Sequence, residues 1–301
     1  MAWRGVHISE AARLSIANKQ LVVEQSGEPV HLPVEDLAWI ILDTPKATIT
    51  TAALAILMDA GIAVLQCDDR HLPAGIALPF HAHYRQGDIA RRQIATTVPF
   101  RKRTWQDIVR FKIINQADVL VLTNRPGVQQ LRTMAKRVAS GDSANIEAQA
   151  ARHYWKCLFA EFRRGEDDRR NALLNYGYAV MRACIARALV ASGLLPAFGV
   201  HHDNAANAFN LADDMLEPFR PFVDLAVFRH ISDFPDGEKL SIEDRRAMAA
   251  QPNTSVLIDG DQVTALVACE RVAQSFVRSI QAGDWSLLKL PSIVDKVGRN
   301  S

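Results

Sequence analysis

A chain of 301 residues fits two domains, or one large one, at roughly 100–200 residues per domain. Lys plus Arg number 35 against 33 Asp plus Glu, a formal net charge of +2, and 49% of residues are hydrophobic. That composition excludes a disordered chain, a collagen-like repeat and a small disulfide scaffold, and the near balance of charge argues against a strongly basic nucleic-acid binder.

In chain order, residues 5 to 80 read as short strands: His7 to Ser9, Ala12 to Ile16, Gln20 to Glu24, Val30 to Pro33 and the apolar run Leu37 to Leu42. An alanine-rich helix over Thr50 to Ala60 precedes a further strand at Ile62 to Gln66. From about residue 84 the period becomes helical, with helices expected at Thr104 to Leu122, Val128 to Ser140, Asn145 to Phe162 and Asn171 to Ser192. Gly193 stands at the C-cap of the last of these, and Pro196 stops its continuation. Val256 to Val263 reads as a hairpin around Asp259-Gly260, followed by a helix over Ala265 to Gln281. The expected fold class is α+β: a small β-rich domain over 1–80, then a larger all-helical domain over 81–301.

Cys67, Cys157, Cys184 and Cys269 are scattered, with no CxxC pair, so they read as reduced, buried residues of a cytoplasmic protein. Met1 to His7 holds no long apolar segment, which speaks against a signal peptide. Arg182 and Arg187 interrupt the apolar stretch Ala179 to Val200, which speaks against a membrane span.

The charges are unevenly spread. Residues 81 to 140 hold 12 Lys and Arg against 3 Asp and Glu, a balance of +9, and residues 201 to 261 hold 5 against 12, a balance of −7. A basic block beside an acidic one suits a metal-dependent enzyme acting on a polyanion; it equally suits two helical faces of opposite sign packed together.

Three clusters offer chemistry. Glu147 and Leu158 are eleven positions apart, about 20° around a helix, so Glu147 shares the side of the stripe Trp155, Leu158, Phe159 and Phe162. A buried carboxylate there calls for a cation, either a metal or an arginine such as Arg182 or Arg187. The loop Gly199-Val200-His201-His202-Asp203 supplies imidazole. In Asn210 to Pro221, Asp214 and Glu217 share a helical face; carboxylates about 4 Å apart repel by roughly 4 kcal/mol at an effective dielectric near about 20, a penalty that a divalent cation or Arg220 removes. Pro218 marks a first turn, an end or a kink. Carboxylate, imidazole and carboxylate from three elements suit Mg²⁺ or Mn²⁺. No phosphate-binding glycine loop, GxSxG or HExxH accompanies them.

Glu147 to Trp155, Asn171 to Ala179, Gly193 to His202 and Asn210 to Pro221 with Val223-Asp224 resemble, in order and spacing, the spacer-acquisition integrases of CRISPR immunity, the Cas one family. Leu211-Ala212-Asp213-Asp214 followed by Glu217-Pro218-Phe219-Arg220-Pro221 resembles its type II form, and the likeness covers essentially the whole chain. The resemblance implies a metal-dependent DNA integrase and endonuclease that inserts spacer DNA into a CRISPR array by 3′-hydroxyl attack on a phosphodiester. It implies Glu147, His202 and Glu217 as catalytic metal ligands, with Asp214 as an additional acidic position; His201 is the alternative within the histidine pair. Mg²⁺ or Mn²⁺ is the implied cofactor. The implied partners are prespacer and repeat DNA, a second copy of the chain bound through the β domain, a small second adaptation subunit (Cas two) and effector-complex proteins. Arg91, Arg92, Arg101, Lys102, Arg103, Arg163 and Arg164 are the candidate DNA contacts. The alternatives are a non-catalytic DNA-binding scaffold of the same complex and a structure-specific repair nuclease.

Overall fold

Alternating and continuous apolar runs in the first 80 residues form eight strands and one helix in the computed structural model, which describes residues 3–80, 82–159, 161–233 and 240–293. These are β1 (Arg4–Ile8), β2 (Ala12–Ala17), β3 (Gln20–Glu24), β4 (Val30–Pro33), β5 (Leu37–Leu42), β6 (Ala47–Ile49), α1 (Thr51–Asp59), β7 (Ala63–Cys67) and β8 (Pro73–Ala77). They make two four-stranded sheets, ordered β1-β5-β7-β8 and β4-β3-β2-β6. β5 lies inside its sheet, parallel to both β1 and β7, and such a strand needs apolar residues on both faces. Ile40 and Leu42 turn into a small core between the sheets, whereas Trp39 and Ile41 join the core of the helical region. The strand-rich region and the helices therefore share a sheet face. β6 and β8 were not expected, being short and weakly alternating.

The rest of the chain is helical: α2 (Gln86–Ile94), α3 (Val98–Leu122), α4 (Val128–Arg137), α5 (Ile146–Leu158), α6 (Arg169–Ala191), α7 (Asn210–Leu216), α8 (Arg220–Asp233) and α9 (Ile242–Ala249). The hairpin β9 (Ser255–Ile258) and β10 (Asp261–Thr264) then leads into α10 (Ala265–Ala282). The fold class is as expected, mixed α+β with strands first and helices after, although this hairpin keeps the second part from being wholly helical. α3 begins six residues before the expected start because Thr97 caps Phe100 N–H and Pro99 is tolerated in a first turn. α5 stops earlier than expected: Phe159 turns extended, and Trp155, Phe159 and Phe162 pack on one another, so the apolar pattern outlives the helix. Gly193 follows α6 with φ of +81°, a conformation that favours glycine. Pro218 sits in a 3₁₀ turn, Glu217–Phe219, that joins α7 to α8. Cys184 and Cys269 are buried, but Cys67 and Cys157 are only half-buried; all four are free thiols. No described helix is long and apolar enough to cross a membrane.

Asp43 locks the two regions together. Its fully buried carboxylate meets His7 Nε2 from β1 at 2.8 Å, His71 Nδ1 at 3.1 Å and Arg245 Nε from α9 at 2.6 Å. Burial pushes its pKa up, but hydrogen bonds from His7 and Arg245 outweigh that and hold it below the ordinary 3.8. A carboxyl depressed in the folded state adds stability that is full above its unfolded pKa and is lost as pH falls through the folded one. Asp43→Ala is expected to cost about 3–5 kcal/mol by stranding Arg245, seen as a lower urea midpoint at unchanged slope, with a flatter loss of stability below pH 4 or so.

Candidate active site

Asp142 builds the first part of the site. Its carboxylate accepts the N–H groups of Ile146 at 2.9 Å and Glu147 at 3.0 Å, capping α5 and fixing Glu147 in its first turn. Opposite, Lys112 lies in the apolar face of α3 beside Ile108, Val109 and Ile113, and is buried. Its Nζ meets Glu147 Oε1 at 2.6 Å and Glu217 Oε2 at 2.5 Å. Glu217, 4% exposed, also receives Arg220 Nε on Oε1 at 2.7 Å. Burial pushes the Glu217 carboxyl up, but Lys112 and Arg220 bring it down to about 2. Burial pulls the Lys112 ammonium down, yet Glu217 and Glu147 leave it above its ordinary value. Lys112, Glu217 and Arg220 are therefore ionised at neutral pH.

The second part is a loop folded around one carboxylate. Asp214, wholly buried, accepts the N–H groups of Val200 at 2.5 Å, His201 at 3.0 Å and His202 at 3.2 Å, and His202 Nδ1 at 2.6 Å. A side chain at Gly199 would stand 2.3 Å from the His202 carbonyl oxygen and 2.8 Å from Asp214 Oδ2, so only glycine permits this wrap. The Asn210 amide secures the loop by donating to the carbonyls of Ala197, Asn204 and Asn207. His201 lies flat on Trp105, with ring centroids 4.1 Å apart, whereas His202 stands edge-on to the same indole. His202 meets Asp214 with its ring as well as its backbone, whereas His201 does so through its backbone alone. The Asp214 hydrogen bond raises the His202 pKa against the effect of burial, aided by the charges of Glu217 and Asp213.

Asp214, the additional acidic position, has both oxygens engaged by four N–H donors and holds His202 from behind. One reading is corrected. Neither Arg182 nor Arg187 neutralises Glu147: Arg182 pairs with Asp213 and Arg187 with Glu270, and Lys112 does so instead. Trp105, Lys112 and Asp142 stand outside the motifs of the sequence, and Tyr178 lies within the Asn171 to Ala179 motif with no role assigned to it. A lysine within the apolar stripe of α3 was the available signal, obscured when Lys112 was counted with the surface charges.

Among the described residues no three His, Cys, Asp or Glu side chains are gathered around one point as a ready metal cluster. The donor chemistry nonetheless fits a divalent cation. Glu147 and Glu217 converge on one cationic point. Glu217 Oε2 is buried with no aligned hydrogen-bond donor, its only close partner among the described residues being the ammonium. His202 engages Asp214 through Nδ1, which leaves Nε2 as the ring nitrogen for a ligand, the usual carboxylate–histidine–metal order.

Beside Glu217 a recess is lined by Arg164, Tyr178, Arg220 and Asp224. The guanidiniums of Arg220, at 4.6 Å, and Arg164, at 5.6 Å, both stand over the Tyr178 ring. Tyr178 and Tyr154 hydroxyls donate to Asp224, whose burial raises its pKa to about 7. On the His202 side a second groove is lined by Arg101, Lys102 and Phe198. Arg101 and Lys102 thus join His202, and Arg164 joins Glu217. The other candidate DNA contacts lie apart from these recesses and are exposed. Arg92 meets Asp88, Arg163 meets Glu166, Arg103 meets Gln106 and the Trp285 ring, and Arg91 stands in the last turn of α2.

The strand-rich start and the helical remainder carry two glutamates that meet at Lys112 and a histidine held by Asp214. The family model for CRISPR associated protein Cas1 matches residues 6–234. A CRISPR-associated endonuclease Cas1 from Neisseria meningitidis serogroup C (strain 8013) is 38% identical over 296 residues, covering 98% of this chain and 97% of that one. The chain belongs to the Cas1 family. A casposase bound to integration product has the same fold, with a TM-score of 0.73 at 19% identity over 94% of this chain and 92% of that one. A chain of a Cas6-RT-Cas1–Cas2 complex does too, with a TM-score of 0.75 at 19% identity; the match covers 98% of this chain and 36% of that longer one.

Replacing Asp214 by asparagine removes the charge that favours imidazolium. The His202 pKa, followed by NMR of labelled histidine, is expected to fall in Asp214→Asn toward the ordinary 6.5. An unchanged value would detach His202 from Asp214.

Proposed function

We propose that the chain is a metal-dependent DNA endonuclease and integrase that inserts spacer DNA into a CRISPR array. The reading is supported by membership of the Cas1 family together with one observation, the convergence of Glu147 and Glu217 on a single cationic point. Glu147, Glu217 and His202 Nε2 are the groups that would hold Mg²⁺ or Mn²⁺. Such an ion, when bound, neutralises charge on the scissile phosphate and lowers the pKa of an attacking hydroxyl.

The reaction is a transesterification. A DNA 3′-oxygen forms a new P–O bond, another 3′-oxygen leaves and takes up a proton, and the number of phosphodiesters is unchanged. Arg220 holds Glu217 in position from Oε1. Asp214 keeps Nδ1 of His202 occupied, so that the ring presents one defined nitrogen. Arg101 and Lys102, in the groove beside His202, bind backbone phosphates, as does Arg164 beside Glu217; such contacts set register and affinity without reading sequence. A Cas2-type subunit is the expected partner, in keeping with the Cas1–Cas2 complex of similar fold, and a second copy of the chain is expected alongside it.

One observation favours the non-catalytic scaffold: Lys112 and Arg220 already balance the two glutamates without a metal. Strand transfer between a prespacer and a repeat-containing DNA separates the readings. Glu147→Gln, His202→Ala and Glu217→Gln are expected to abolish joining while retaining DNA binding, and EDTA to abolish joining by the native chain. Full joining by all three variants, or by native protein in EDTA, overturns the metal site; no joining by the native chain with Mg²⁺ or Mn²⁺ favours the scaffold. In binding titrations, Arg101→Ala and Lys102→Ala are each expected to reduce the slope of log K against log salt by about 1.

A further inference from the structure

Lys112 stands where the two glutamates meet, and the proposed chemistry does not use it. It arises from the middle of α3, while Glu147 comes from α5 and Glu217 from the turn between α7 and α8. Its ammonium touches one oxygen of each glutamate, at 2.6 and 2.5 Å, leaving no room for an ion to bridge the same two oxygens. With Arg220 on the other oxygen of Glu217, the group comprises two carboxylates and two cations and is electrically neutral. A divalent ion entering beside an undisplaced Lys112 would leave two uncompensated positive charges in a largely buried site, which is strongly unfavourable.

We infer that Lys112 is a resident counter-cation that competes with the divalent ion for Glu147 and Glu217, so that metal entry requires its ammonium to leave the carboxylates. The inference rests on the proposed metal site and concerns how that site is loaded. In the absence of metal, Lys112 holds the carboxylates at the spacing of one cation and suppresses their mutual repulsion. The ammonium stands on a flexible four-carbon stem, unlike the rigid guanidinium of Arg220, so it is the cation suited to yield. The site is thereby kept formed at the expense of metal affinity.

Mn²⁺ binding to the intact chain, measured by calorimetry and by the Mn²⁺ electron paramagnetic resonance signal, tests this without any turnover. Lys112→Met removes the charge at similar length. Lys112→Gln is the second variant, retaining an amide that can donate to a carboxylate should the first fail to fold. Both are expected to melt at lower temperature than the native chain without metal, to bind Mn²⁺ roughly tenfold tighter or more, and to gain more in melting temperature on adding it. Mn²⁺ bound by the native chain and no tighter by either variant overturns the counter-cation role and leaves the metal site standing. Mn²⁺ bound by none of the three overturns the metal site, and this inference with it.

Discussion

A carboxylate taken out of water among helices must be met by a cation or a ring of donors, and this requirement shapes the catalytic half of the molecule more than any apolar contact. Glu217 has Lys112 and Arg220. Asp214 has three backbone N–H groups and an imidazole. Asp43 has Arg245 and two histidines. Burial pushes Asp244 up, but Arg169, the Ser241 backbone and His230 bring it down to about 2. The Glu217, Asp43 and Asp244 sets join elements remote in sequence, so these acids fix how α3, α6, α8 and α9 stand relative to the elements they meet. Breaking such a set strands a charge, which costs far more than the intact set contributes.

The same requirement explains what the uneven charge distribution did and did not mean. Part of the −7 block is buried or paired rather than open surface. Asp213 pairs with Arg182, Asp244 with Arg169, and Asp224 is held by two tyrosines. Within the +9 block, Lys112 is internal and neutralises acids, whereas Arg101 and Lys102 remain outside beside His202. The overall balance of +2 thus joins charges paired inside the protein to charges left at its surface.

Periodicity revealed those elements whose burial is one-sided or complete. β3, β4 and β5 fall at their expected residues because apolar runs bounded by turns admit few other structures. α3 and α5 differed at one end each, where a threonine cap and an aromatic cluster, respectively, override the apolar repeat. α8 was hidden by the prolines at its start, and α9 by the small share of apolar residues on an eight-residue helix whose boundary is set by the Ser241–Asp244 capping box. In the site, the inward orientation of Glu147 was readable from its helical phase. Its partner was not, because Lys112 is thirty-five residues away on another helix and pairing across that distance depends on packing.

The loop motif has a local physical meaning. Gly199 and His202 with Asp214 twelve residues on are the parts of one small device, in which three successive N–H groups and a ring nitrogen converge on a carboxylate. Glycine is demanded by contact, since a Cβ would strike the His202 carbonyl and Asp214 itself. The aspartate must lie on α7, whose seat is fixed because Asn210 ties its start to three carbonyls of the preceding loop. Glu217 then follows Asp214 by three residues and shares its face of the chain, so the carboxylate that orients His202 and the carboxylate that meets Lys112 are set by the same turn. Any shift of α7 moves imidazole and glutamate together, which makes their relative position insensitive to the surrounding packing.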